Sequence, residues 1–119
     1  ECAGEDCPVC DAERRILGFD HAQVGEILAR RWRLPAEIVR AVAQHHAPEP
    51  VRECSYADIA HVADVLAHAL DLARTEQEMV PSLDVGAWRR LRLDGPTLTA
   101  LLPGIVREHE HYSALLAAG

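Results

Sequence analysis

Three imidazoles and a carboxylate are spaced along this chain in a way that suits metal binding. His21 opens the run His21-Ala-Gln-Val-Gly25, His45 and His46 form a pair, and Asp64 follows in Ile59-Ala-His-Val-Ala-Asp64. A set of three histidines and one aspartate is rich in nitrogen, which favours a single zinc, nickel or iron ion over magnesium. Each ligand falls within a helical pattern, and helices carrying single ligands can bring them to one pocket. A second group with ligand chemistry stands near the N-terminal end, where Cys2, Cys7 and Cys10 are spaced C-x4-C-x2-C, with Cys54 alone in a later loop. Thiolates two residues apart can share a tetrahedral zinc if Cys54 or a histidine supplies the fourth ligand. A disulfide or free thiols fit the same spacing.

The elements that must position these groups can be read from capping residues and periodicity. Asp11 to Leu17 reads as a short helical turn stopped by Gly18, and Asp20 is placed to cap a helix from His21 to about Trp32. Val24, Ile27, Leu28 and Arg31 recur there at the helical period, and His21, Gly25, Leu28 and Trp32 form an adjacent stripe that would turn His21 inward. Gly25 lowers helix propensity by about 1 kcal/mol relative to Ala, so a close approach by another backbone or a ligand is expected there. Pro35 suits the first turn of the next helix, which should bury Ile38, Val39 and Val42 and run to about His46 before Pro48 and Pro50. Neighbouring helical residues point about 100° apart, so one of the paired histidines should face the pocket while the other serves a second ion or a neighbour.

Ser55 and Asp58 form a variant capping box opening the longest helix, about Tyr56 to Ala73, with an apolar stripe of Ile59, Val62, Ala63, Leu66 and Leu70. Asp64 lies on the adjoining face with Ala57, Ala60, His61 and His68, as a partly buried carboxylate. Arg74 to Gly86 reads as a polar linker and Val85 to Leu93 as a short helix. Asp94-Gly95-Pro96 is a turn, and Pro103 should break or kink the last helical region.

Length and composition support this reading. A chain of 119 residues holds one hydrophobic core. With 49% apolar but only 4% aromatic residues, that core must be built from Ala, Leu, Val and Ile, which predicts an all-α fold, a compact bundle of about five to six helices. The chain starts at Glu1, so a Cys-rich segment over 1–10 is expected ahead of a helical domain over 11–119 that is truncated on its N-terminal side. The net charge of −7 disfavours nucleic acid and anionic membranes as partners. Arg30, Arg31 and Arg33, and likewise Arg89, Arg90 and Arg92, read as solvated helix faces. No apolar run reaches the ~18 residues of a membrane span, and no signal peptide pattern is present, so a cytoplasmic protein is expected.

The stretch from Leu17 to Pro35, with Gly18-Phe-Asp-His21-Ala-Gln-Val-Gly25 and Trp32-Arg-Leu-Pro35, continuing to His45-His46 and then Ile59 to Leu66, resembles the HDOD family of bacterial signalling domains. The resemblance covers about residues 12 to 73 well and the rest loosely. It implies a helical relative of the HD-domain superfamily that serves as a regulatory module, with a protein partner or a neighbouring signalling domain. By motif, His21 corresponds to the histidine of the H-x-x-x-G element in HD-GYP phosphodiesterases, His45 and His46 to their paired histidines, and Asp64 to a late aspartate ligand. Two departures argue against turnover. No His-Asp dyad precedes His21, and Ala47-Pro48 replaces the Glu and Gly-Tyr-Pro signature that follows the pair. Hydrolysis of phosphodiesters by two metals needs carboxylates and imidazoles around ions roughly 3.5 to 4 Å apart, which the dyad aspartate typically bridges. The expectation is therefore a degenerate site without catalysis. The alternative is a metal-dependent phosphohydrolase completed by residues outside this chain.

The same residues also admit structural roles. His21 could be a core histidine bonded to a carbonyl, His45 and His46 could interact with a helix C-terminus, and Asp64 could pair with His61. His61, His68, His109 and His111 are read as solvated or paired. Free of metal, such imidazoles could make partner binding sensitive to pH.

Overall fold

The structure, a computed structural model, describes residues 8–72 and 80–118. Regular structure among them is entirely helical, as the composition predicts: α1 (Pro8–Leu17), α2 (His21–Arg31), α3 (Ala36–Gln44), α4 (Tyr56–Ala69), α5 (Val85–Arg90) and α6 (Gly95–Ala117). Helix α3 packs between α2 and α4, and α5 docks on α4. No residue of α6 is buried. None of the described helices is long and apolar enough to cross a membrane.

Local signals set most helix ends. Asp20 accepts the Gln23 backbone N–H at 2.9 Å while the Gln23 side chain accepts the Asp20 N–H, closing a capping box at α2. Ser55 and Asp58 close a second at α4. Gly18 ends α1 in the left-handed region at φ +83°, its N–H bonded to the Arg14 carbonyl. Helix α1 begins at Pro8, earlier than expected, and α4 ends at Ala69, followed by Asp71 at φ +55°. Ala73 and residues 74–79 of the expected polar linker lie outside the described residues. Pro103 does not break the last helix, which runs unbroken from Gly95 to Ala117. Pro103 removes the N–H that would meet the Thr99 carbonyl, but both residues are exposed and water can satisfy that carbonyl.

The buried faces are built from small residues and differ from the expected stripes. Helix α2 buries Ala22 and Ala29, leaving Val24 at 39% and Ile27 at 67% exposure. The close approach expected at Gly25 is made by a side chain: a Cβ there would lie 2.6 Å from Val42 Cγ1. The small-residue side of α2 admits α3, and the branched side chains are left on the outer face. Helix α4 is likewise turned, burying Ala57, Asp58, His61, Val62 and Val65 while Ile59 is largely exposed.

Arg90 is not on a solvated face. It meets fully buried Asp58 through Nε at 3.1 Å and Nη2 at 2.6 Å. Burial alone would raise the Asp58 carboxyl, but the Arg90 guanidinium and the Ser55 cap outweigh it and hold the group below its usual range. Arg89 and Arg92 do stay exposed, and with Arg52 they line a cleft of about 590 Å³ beside Cys54. Arg30 pairs with Glu26 on the same helix.

Candidate metal centre

Capping by Asp20 starts α2 at His21, so this imidazole projects from the first turn of the helix. It meets the chain leaving α3. His21 Nε2 lies 3.3 Å from His45 Nε2 and 2.7 Å from His46 Nε2. Both members of the pair therefore converge on His21, against the expectation that they would diverge. The reason is local: α3 stops at Gln44, His45 is its C-cap, and His46 stands outside the helix, where the 100° rule no longer applies. The expected inward turn of His21 is not seen either, since its side chain is 44% exposed. It lies on the open side of the cluster.

Two rings are anchored through the nitrogen facing away from the cluster. His21 Nδ1 meets Glu13 Oε2 at 2.7 Å, and the same carboxylate accepts the His21 backbone N–H at 2.9 Å. The backbone N–H, then the ring, hold the Glu13 carboxyl below its usual range. His45 Nδ1 donates to the Val42 carbonyl at 2.8 Å. With Nδ1 donating, each neutral ring carries its lone pair on Nε2, aimed at the other rings. Burial first, then the charges that His45 and His21 would carry, push the His46 imidazole down to about 4, against an opposing pull from Asp64 and Asp20.

The chemistry of this donor set fits one transition-metal ion. Around a tetrahedral ion with bonds of about 2.05 Å, imidazole nitrogens stand about 3.3 Å apart. The His21–His45 separation matches this value, and the His21–His46 separation is shorter. Among the described residues, the ligand atoms of Cys10, His21 and His46 form a group lying within 4.8 Å of one another. Cys10 is buried and disulfide-bonded. Cys2 and Cys7 lie outside the described residues, and Cys54 is a free, exposed thiol.

His45 is not in that close group, although its Nε2 lies 3.3 Å from His21 Nε2, and neither is Asp64. Asp64 Oδ1 lies 3.6 Å from Nδ1 of His68, a ring that also bonds the Asp64 carbonyl, so the local partner is His68 rather than His61. His61 is buried in the core, with Nδ1 donating to the His45 carbonyl at 2.8 Å and Nε2 accepting the Asp84 N–H at 2.9 Å. It thus fixes the backbone of the histidine pair. Sequence reasoning missed this role and that of Glu13, and it named Cys10 only as a possible zinc ligand together with Cys2 and Cys7. The Gly18 stop was the available signal for α1, because it folds the helix back toward the start of α2.

Residues 1–48 match the family model described as HDOD domain. The likeness to that family covers 48 of the 119 residues. The match includes the cysteine segment and all three clustered histidines but ends before Asp64, so it lies further toward the N-terminus than the motifs over 12–73 suggested. The chain is also similar to Ribonuclease Y from two strains of Thermus thermophilus, 37% identical over 86 residues in each, covering 71% of this chain and 14% of each relative. Ribonuclease Y of Deinococcus radiodurans is 41% identical over 64 residues, 54% of this chain and 11% of that protein. The chain thus spans only a small part of the relatives it matches. No solved structure matches. The HDOD-domain match, the bacterial relatives and the helical fold all support an HD-related domain.

Proposed function

We propose that this chain is a non-catalytic HDOD-type regulatory module, acting in the cytoplasm through a protein partner or a neighbouring signalling domain. In this reading His21, His45 and His46 retain a site for a single transition-metal ion. The observation that carries the reading is the make-up of the cluster. The ligand atoms that close on one another are nitrogens and a sulfur, whereas the carboxylates stand outside: Glu13 on the far nitrogen of His21, Asp64 on His68. Phosphodiester hydrolysis by two metals relies on bridging carboxylates, and none lies within the close group of ligand atoms. The acidic charge further favours a protein partner over a phosphate backbone.

One observation favours a second reading. The likeness to Ribonuclease Y raises a metal-dependent phosphodiester hydrolase completed by residues outside this chain. The two readings separate in one experiment. Untagged protein, loaded in turn with zinc, nickel, iron and manganese, is assayed against bis(p-nitrophenyl) phosphate, cyclic dinucleotides and an RNA oligonucleotide. The regulatory reading expects no turnover, with one bound ion per chain lost in His21→Ala or His46→Ala. Metal-dependent cleavage abolished by His46→Ala would establish the hydrolase instead.

A further inference from the structure

The single-ion reading uses nitrogen ligands and assigns no role to the Cys10 sulfur. Cys10 is only 1% exposed, yet its sulfur is not surrounded by apolar side chains alone: ligand atoms of His21 and His46 lie within 4.8 Å of it. It stands in the first turn of α1, three residues before Glu13, and residues so spaced share a helix face. One face of α1 therefore brings both the carboxylate that orients His21 and a sulfur to the same cluster.

Resting on the single-ion reading of the histidines, we infer that Cys10 is a redox-controlled ligand of that ion. The disulfide of Cys10 is the off state, because a disulfide sulfur is a poor donor and carries no charge to offer the metal. A dithiol reductant converts it. Two electrons and two protons pass from the dithiol to the protein disulfide, giving two protein thiols and one oxidised reductant. The Cys10 thiol then releases its proton on meeting a divalent ion, and the thiolate joins His21 and His46, with His45 alongside. In a tetrahedral site, sulfur and imidazole nitrogen stand about 3.6 Å apart, so groups already within 4.8 Å need only a small adjustment. The added thiolate selects soft, zinc-like ions. Disulfides in reducing compartments are usually transient, which suits a switch better than a permanent staple. Oxidation would then loosen the ion and reduction would retain it.

Cobalt(II) is the probe, because a thiolate ligand adds a sulfur-to-metal charge-transfer band in the near ultraviolet that imidazoles do not give. The full chain is titrated with cobalt and zinc after oxidation, and again after reduction with a phosphine that does not itself hold the metal. Reduced protein is expected to show the band and to bind at least ~10-fold more tightly, since losing even an outer-sphere partner of a ligand typically weakens binding 10- to 100-fold. Cys10→Ser should lose the band under reduction, whereas Cys54→Ser should keep it. The triple variant Cys2→Ser, Cys7→Ser, Cys54→Ser retains Cys10 as its only thiol, and should show the band with or without reductant. This variant keeps the test valid should Cys10→Ser fail to fold. A band that survives in Cys10→Ser, or is missing from the triple variant, overturns the assignment. Equal binding in both redox states with no thiolate band overturns it too but leaves the three-histidine site standing. Absence of binding in either state removes both.

Discussion

Two polar clusters, each assembled from distant parts of the chain, meet opposite fates in this fold. Around α4, fully buried Asp58 faces a guanidinium and a cap, and His61 gives one proton to a carbonyl and accepts another from a backbone N–H. Asp58 and both ring nitrogens of His61 are thus held by hydrogen bonds within the protein. At the junction of α2 and α3, three imidazoles crowd together with the lone-pair nitrogens of His21 and His45 facing each other. A polar network that serves stability closes its own hydrogen bonds. One in which lone pairs converge offers donor chemistry that suits a cation. The contrast separates a structural histidine, His61, from the candidate ligands His21, His45 and His46, which lie 15 to 40 positions before it.

The comparison can be broken first at its structural side. Arg90→Ala leaves the Asp58 carboxylate buried without its counter-charge, and should destabilise the fold by about 3–5 kcal/mol in urea unfolding. A loss under 1 kcal/mol would mean that the pair is hydrated. At the other cluster the effect should depend on metal. Zinc at 100 times its dissociation constant should stabilise the wild type by about 2.7 kcal/mol and leave His46→Ala unmoved, while chelated samples of the two differ little. Stabilisation of both by zinc would place the ion elsewhere.

His61→Leu should cost about 2 kcal/mol with or without zinc, because it orphans the His45 carbonyl and the Asp84 N–H. A loss seen only with zinc would move His61 into the metal site. Gly25→Ala should destabilise by about 1 kcal/mol despite better helix propensity, since its Cβ would overlap Val42 Cγ1 and push α2 from α3. Adding Val42→Ala should relieve that strain, and failure of the rescue would refute the clash. The smallest effect is expected from pH. His46 falls from 6.5 when unfolded to about 4 in the fold, so the unfolded chain binds more protons between these values. Metal-free stability should therefore be intact above about pH 6.5 and decline as pH falls toward 4, with a shallow slope because the cluster is open to solvent. His46→Ala should flatten that slope, and an unchanged slope would assign the protons to other groups.

Much of the fold was legible because its signals are local. Asp20 with Gln23, Ser55 with Asp58, and Gly18 after Leu17 act through atoms within three or four residues, so their types and order announce the helix ends. The same holds for the ligand types His21, His45 and His46. Which side of each helix faces the core was less legible. Alanine and branched aliphatics share the helical period, and only packing against α3 chose Ala22 and Ala29 of α2 over Val24 and Ile27. The candidate site depended on a similarly non-local fact, the exit of the chain from α3 at Gln44, which frees His45 and His46 to reach one point.

By itself, the sequence determined an all-helical chain with caps at fixed places, because hydrogen bonds within a few residues decide such features, and it supplied the imidazoles of the candidate site. Tertiary structure alone decided that Arg90 turns inward to Asp58, that His61 supports the histidine pair, and that Cys10 stands beside His21 and His46. These outcomes depend on helix positions in space. Most join groups far apart in sequence, and no local period or cap encodes them.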